Sequence, residues 1–171
     1  MTASCHAQLR RMSVVDLEKV LSWRNHPEVR CYMFTQHEIG IDEHALWFDR
    51  VSKDSNRHLL IFESQGIALG FINISQDPST GIADWGFYIS PDAPKGTGRQ
   101  LGNASLQYAF TTMRCTKLCA QVLSYNERSI RFHQNLGFKQ EEILRQKYFD
   151  GKNFHDVVCF GFFSKEWCMH N

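Results

Sequence analysis

The spacing of apolar residues changes period along the chain, and each change marks an element. Ser13-Val-Val-Asp16 reads as a capping-box start for a helix whose apolar stripe runs Leu17, Val20, Leu21. The next position on that stripe is Arg24, and Pro27 then stops the helix, which places a guanidinium near its end on the inward side. A second helix follows Asp42, with His44, Trp47, Phe48 and Val51 in line, so a polar ring again sits among apolar ones. From His58 the pattern shortens to the runs HLLIFE, IALGFINIS and IADWGFYIS, punctuated at Gly66 and at Asp77-Pro-Ser-Thr-Gly81. These predict three successive antiparallel strands. SPDAPKGTG is a loop, Arg99 to Met113 a helix, and Lys117 to Leu123 a buried strand. Asn126 caps a short helix, and Phe138 to Phe163 forms two strands joined around Asp150-Gly151. The order predicts an α+β fold on a mixed, mostly antiparallel sheet.

A chain of 171 residues fits one domain, taken as 1–171, and the pattern shows neither a repeat nor a linker. A net charge of +1 gives no broad electrostatic footprint for nucleic acid or an acidic membrane, so an anionic ligand has to be met by a local site. MTASCHAQLRR lacks the apolar core of a secretory signal, and no run reaches the ~18 apolar residues of a membrane span. The expectation is a cytoplasmic protein. The cysteines at 5, 31, 115, 119, 159 and 168 form no C-x-x-C pair, which points to reduced thiols and to neither zinc nor a disulfide framework.

The first chemistry lies at Lys95-Gly96-Thr97-Gly98-Arg99, between a strand and a helix. Backbone N–H groups at a helix start have no helical partner, and glycine lets an anion approach them closely. The same glycines also suit a loop that merely turns tightly. A Walker loop would need Gly-Lys-Ser/Thr, and a dinucleotide fingerprint would need a third Gly or Ala where Leu101 stands. Nucleotide hydrolysis and hydride transfer are both disfavoured.

Further along comes NERSIRFHQNLGF, Asn126 to Phe138. Strand, Gly-x-Gly loop, helix, strand and then N-x-x-S-I-x-F-x-x-x-L-G-F resembles the GNAT superfamily of N-acetyltransferases, from Met12 to Phe163. The resemblance implies about seven strands flanked by about four helices, and acetyl-CoA as cosubstrate. It would assign the pyrophosphate to Lys95, Gly96, Thr97, Gly98 and Arg99, the pantetheine to the strand end Phe87 to Ile89, and its arm to Asn126 and Ser129. One departure is Ala93, where the superfamily loop usually carries Gln or Arg.

Acetyl transfer to an amine needs a neutral nucleophile, a donor for the developing oxyanion, and a proton for the leaving thiolate. The superfamily often supplies that proton from a Tyr four residues before the Gly of Gly-Phe, and His133 occupies the slot here. With an ordinary value near 6.5, an imidazole acid would make activity fall sooner as pH rises; local packing is the competing reading. Asp84 is a candidate base acting through water. Asn73, mid-strand among apolar neighbours, is a polar candidate whose amide could instead bond the next strand.

WRNHPEV, followed by Met33-Phe34 and then His44 and Trp47, resembles the nucleotide-sugar N-acetyltransferases of pseudaminic acid biosynthesis, which act on the 4-amino group of a UDP-linked 4-amino-4,6-dideoxy-N-acetyl-altrosamine. That resemblance implies Arg24 and His44 at the nucleotide, and Met33, Phe34, Trp47 and Tyr88 around the sugar's methyl groups. Arg24 could equally pair internally with Glu28 or Asp16. A protein N-terminal acetyltransferase and a silent acyl-CoA-binding module are the alternatives. A homodimer is compatible with all three.

Overall fold

The computed structural model describes residues 7–168; Cys5 and the start of the N-terminal segment read above lie outside them. The elements run β1 (Ala7–Arg11), α1 (Leu17–Asn25), α2 (Pro27–Arg30), α3 (Ile41–Val51), β2 (Arg57–Ser64), β3 (Ile67–Gln76), β4 (Ile82–Ile89), α4 (Thr97–Gln107), β5 (Lys117–Leu123), α5 (Glu127–Leu136), β6 (Lys139–Phe149), β7 (Phe154–Phe163) and α6 (Ser164–Cys168). One seven-stranded sheet has the order β1-β2-β3-β4-β5-β7-β6. Every neighbouring pair is antiparallel except β4 and β5.

Two elements depart from the sequence expectation for physical reasons. β1 has a single aliphatic residue between polar ones, so no alternation announced it; Arg10 ties it across the sheet to Glu63 at 2.6 Å. Pro27 ends α1 but also opens α2, where its fixed φ suits a first helical position and His26 Nδ1 accepts from the Glu28 N–H at 3.3 Å. The four-residue α2 and five-residue α6 bring the helices among the described residues to six, where about four were expected. The helix expected to run to Met113 passes instead, at Tyr108–Thr112, into a π turn.

The capping box before α1 closes through Asp16, whose carboxylate accepts from the Ser13 N–H at 2.8 Å. Arg10 grips the same carboxylate with both terminal nitrogens, at 2.8 and 2.7 Å. Asp16 is therefore spent and is not a partner for Arg24.

Each face of the sheet is covered by its own apolar cluster. Leu60, Phe62, Ile72, Ile74 and Trp85 meet Leu101 and Leu106 of α4, with Phe132 and Leu136 of α5 packed alongside. On the opposite face Leu59, Ile61 and Phe71 meet Val20 and Trp23 of α1 and Val51 of α3. Antiparallel partners share a face, so Asn73 and Gly86, and Phe71 and Tyr88, look toward the α1 and α3 side. Trp85, Phe87 and Ile89 alternate to the α4 and α5 side.

Candidate active site

The parallel pairing of β4 with β5 covers only Ile82↔Lys117, Ala83↔Leu118 and Asp84↔Cys119. Beyond it β4 continues to pair with β3 as far as Ile89, and β5 with β7 as far as Leu123. The strands separate, and a cavity of about 680 Å³ opens between Asp84–Ile89 and Ala120–Leu123. The β4 edge facing this gap has left its parallel partner, so its backbone groups can meet a ligand.

The loop before α4 forms one wall. Lys95, Gly96, Thr97 and Gly98 all line the cavity. Gly96 caps α4 with φ +92°, a left-handed conformation that a side chain would strain, and a Cβ there would meet nothing within 4 Å. Thr97 is buried and its hydroxyl donates to the Pro94 carbonyl at 2.8 Å, so this side chain shapes the loop. Arg99 is exposed and outside the lining; the cation that does reach the cavity from a helix is Arg128 of α5. Asn126 and Ser129 line the cavity beside it, with the Asn126 Oδ1 accepting the Ser129 N–H at 3.1 Å. A left-handed glycine at a helix start, two cations and an unpaired strand edge fit a long pyrophosphate-bearing thioester.

His133 lies in the lining but is only 3% exposed. Its Nδ1 is 2.8 Å from the Ser129 carbonyl oxygen, which can only accept, so Nδ1 carries the proton. Burial against Phe160, on which it stacks at 5.3 Å, and Phe138 lowers the ring's pKa to about 4. A neutral ring protonated at Nδ1 offers a lone pair at Nε2 and no second proton. This arrangement favours a hydrogen-bonding role for the ring over the acid role expected from its slot.

The opposite wall comes from the segment after α1. Glu28, Val29, Tyr32, Met33 and Phe34 line the cavity, as does Tyr88. Tyr88 packs on Phe71 with ring centroids 5.0 Å apart, and burial raises its pKa, so the phenol stays protonated. Tyr125, next to the α5 cap, fixes this segment: its hydroxyl donates to the Cys31 carbonyl and accepts from Gln36, both at 3.0 Å. Phe34 meets Tyr148 of β6 edge-on at 5.6 Å. Sequence reasoning missed Tyr125, Trp85, Gly86 and Arg128; the run DWGFY and the position preceding Asn126 were the available signals.

Other expected residues fall around this cavity. Asp84 lines it and is exposed, with no ion pair among the described residues. Asn73 is outside the lining but directly opposite Gly86, which is inside it, and its buried Oδ1 has no hydrogen-bond partner among the described residues. The expected bond to a neighbouring strand is not made. Arg24 is also outside the lining: Nη2 donates to the Thr35 carbonyl at 2.6 Å, while among the described residues Nη1 is buried without a partner and no carboxylate pairs with the group. Burial lowers its pKa, and neither internal salt bridge forms. His44 and Trp47 belong elsewhere. They stack on each other at 5.2 Å beside the α1 and α3 cluster, where His44 is 3% exposed, so they do not reach the cavity.

Among the described residues no group of three His, Cys, Asp or Glu side chains is placed to hold a metal ion, and no helix is long and apolar enough to cross a membrane. Residues 6–139 match the family described as Acetyltransferase (GNAT) domain. The chain belongs to the GNAT acetyltransferases. It is an N-acetyltransferase, and acetyl-CoA is its cosubstrate. Among GNAT relatives, Acetyltransferase PseH of Campylobacter jejuni is 31% identical over 126 residues, covering 72% of this chain and 76% of that protein. Spermidine N(1)-acetyltransferase of Vibrio cholerae is 23% identical over 87% of this chain and 88% of its own. The crystal structure of spermidine N-acetyltransferase from Vibrio cholerae in complex with CoA and spermine superposes with a TM-score of 0.89 at 21% identity, covering 95% of this chain and 98% of that one. That superposition establishes the GNAT fold here.

Proposed function

We propose that the acceptor is the 4-amino group of a UDP-linked 4-amino-4,6-dideoxy sugar, and that the reaction serves pseudaminic acid biosynthesis and flagellin glycosylation in the cytoplasm. The observation that carries this reading is the continuous cavity between the glycine loop and the apolar wall of Met33, Phe34 and Tyr88, which suits methyl-bearing rings. The likeness of WRNHPEV and Met33-Phe34 to nucleotide-sugar N-acetyltransferases, and the 31% identity to PseH, support it. Arg24, with a buried donor and no carboxylate, is the group for a diphosphate or a uracil carbonyl. His44 and Trp47 drop out of the substrate set.

Bound acetyl-CoA supplies the activated acetyl group. Lys95 and the N–H groups of Gly96 to Gly98 hold its pyrophosphate, the β4 edge at Phe87 and Ile89 its pantetheine, and Asn126 and Ser129 the arm beyond. Asp84 takes the amine's surplus proton through water, and the Asn73 Oδ1, across from Gly86, orients the amine by accepting an N–H.

A second reading has one observation in its favour. Glu28 and Asp84 line the acceptor half, an arrangement that also suits a polyamine, and a spermidine acetyltransferase is among the relatives. Titration with UDP separates the two readings. UDP is expected to bind, and Arg24→Met to weaken it by at least about tenfold, the loss of one charge-assisted hydrogen bond. Tight spermidine binding with no UDP binding would contradict the sugar reading.

A further inference from the structure

Two buried polar atoms in the cavity lining have no hydrogen-bond partner among the described residues, and they are chemically complementary. One is the His133 Nε2, a lone-pair acceptor because Nδ1 gives its proton to the Ser129 carbonyl at 2.8 Å. The other is the Trp85 Nε1–H, which can only donate. Both residues line the cavity, at 3% and 6% exposure, and their rings meet edge to face with centroids 5.6 Å apart. Buried donors and acceptors are rarely left unpaired, and a buried donor and acceptor on neighbouring rings in a cavity wall are suited to share one internal water.

We propose that His133 and Trp85 together hold one water at the point where β4 and β5 part, and that its remaining O–H faces the reacting thioester. That water accepts from Trp85 and donates once to His133, which leaves one proton for a further hydrogen bond. In acetyl transfer the N–C bond forms, the C–S bond breaks, and the proton lost by the amine ends on sulfur. The water's free O–H stabilises the negative charge on sulfur before that proton arrives. His133 is then a positioning residue acting through the water and transfers no proton itself. Its neutral state follows from burial and suits the task, since an imidazolium would donate to the water and turn it around. The proposal rests on acetyl transfer and is independent of which amine accepts.

Two readouts need neither cosubstrate nor acceptor. A high-resolution crystal structure should show one water within about 3.2 Å of both nitrogens, and ¹⁵N spectra should show Nδ1 protonated and Nε2 bare from pH 6 to 8. Absence of that water, or a proton on Nε2, would overturn the proposal. Kinetics add a test of function. Trp85→Phe and His133→Phe should each lower kcat about tenfold with little change in KM for acetyl-CoA, as loss of one hydrogen bond to a charged group predicts. The double variant should be no slower than the slower single, because both remove the same water. Multiplicative losses of about a hundredfold would show separate roles and count against the shared water.

Discussion

At the scale of single residues, His133 links burial to pH in two measurable ways. Its native pKa of about 4 lies below the ordinary value near 6.5. Between those pH values the unfolded chain binds a proton that the native ring does not, so stability rises with pH across that window and is lost as pH falls toward 4. The contribution is up to about 3 kcal/mol, and burial lowers His44 and His58 in the same direction. Urea denaturation of the wild type should therefore show a steep loss of stability from pH 6.5 to 4, flattened in His133→Phe; equal slopes would mean that the ring is not desolvated. The second consequence concerns activity. A ring already neutral at pH 6.5 cannot supply a falling limb above it, so kcat should show no decline with an imidazole midpoint between pH 6 and 8.

At the scale of elements, the glycine loop before α4 is positioned by packing far from its glycines. A Cβ on Gly70 of β3 would lie 2.5 Å from Leu101 Cδ1 and 3.3 Å from the Tyr88 carbonyl oxygen. Leu101 is fully buried one turn into α4, so it has little room to yield. Gly70→Ala is expected to cost about 1–3 kcal/mol in denaturant unfolding, and to raise KM for acetyl-CoA as α4 and its leading loop shift. An unchanged KM at reduced stability would mean that the loop is set independently of α4. Most elements were readable because their period was strong: the three strands after His58, the buried strand at Lys117–Leu123 and the Asn126 cap stand where the pattern puts them. β1 was invisible because its pairing is secured by Arg10 and Glu63 across the sheet, a long-range contact that leaves no local period. The stripe His44, Trp47, Phe48, Val51 shows the opposite limit. It correctly announced a buried face, but burial against α1 looks the same in sequence as burial against a substrate.

At the scale of the molecule, the site is a junction of three parts of the chain that only the separation of β4 from β5 brings together. The glycine loop reads as a candidate anion site and the Asn126 to Phe138 segment carries the resemblance that implies acetyl-CoA; residues of both line the cavity. Met33, Phe34 and Tyr88, which the resemblance puts around the sugar's methyl groups, line one wall of the cavity. What composition could not reveal was that Tyr125 ties that wall to the α5 cap through Cys31 and Gln36, so that two walls of the cavity share one anchor. The acceptor itself is the central claim, and kcat/KM for thiol release measures it directly. With acetyl-CoA fixed, a UDP-linked 4-amino-4,6-dideoxy sugar is predicted to exceed both spermidine and a short peptide by at least about a hundredfold, equivalent to roughly 2.7 kcal/mol of transition-state discrimination. A spermidine value equal to or above that of the sugar nucleotide would contradict the account.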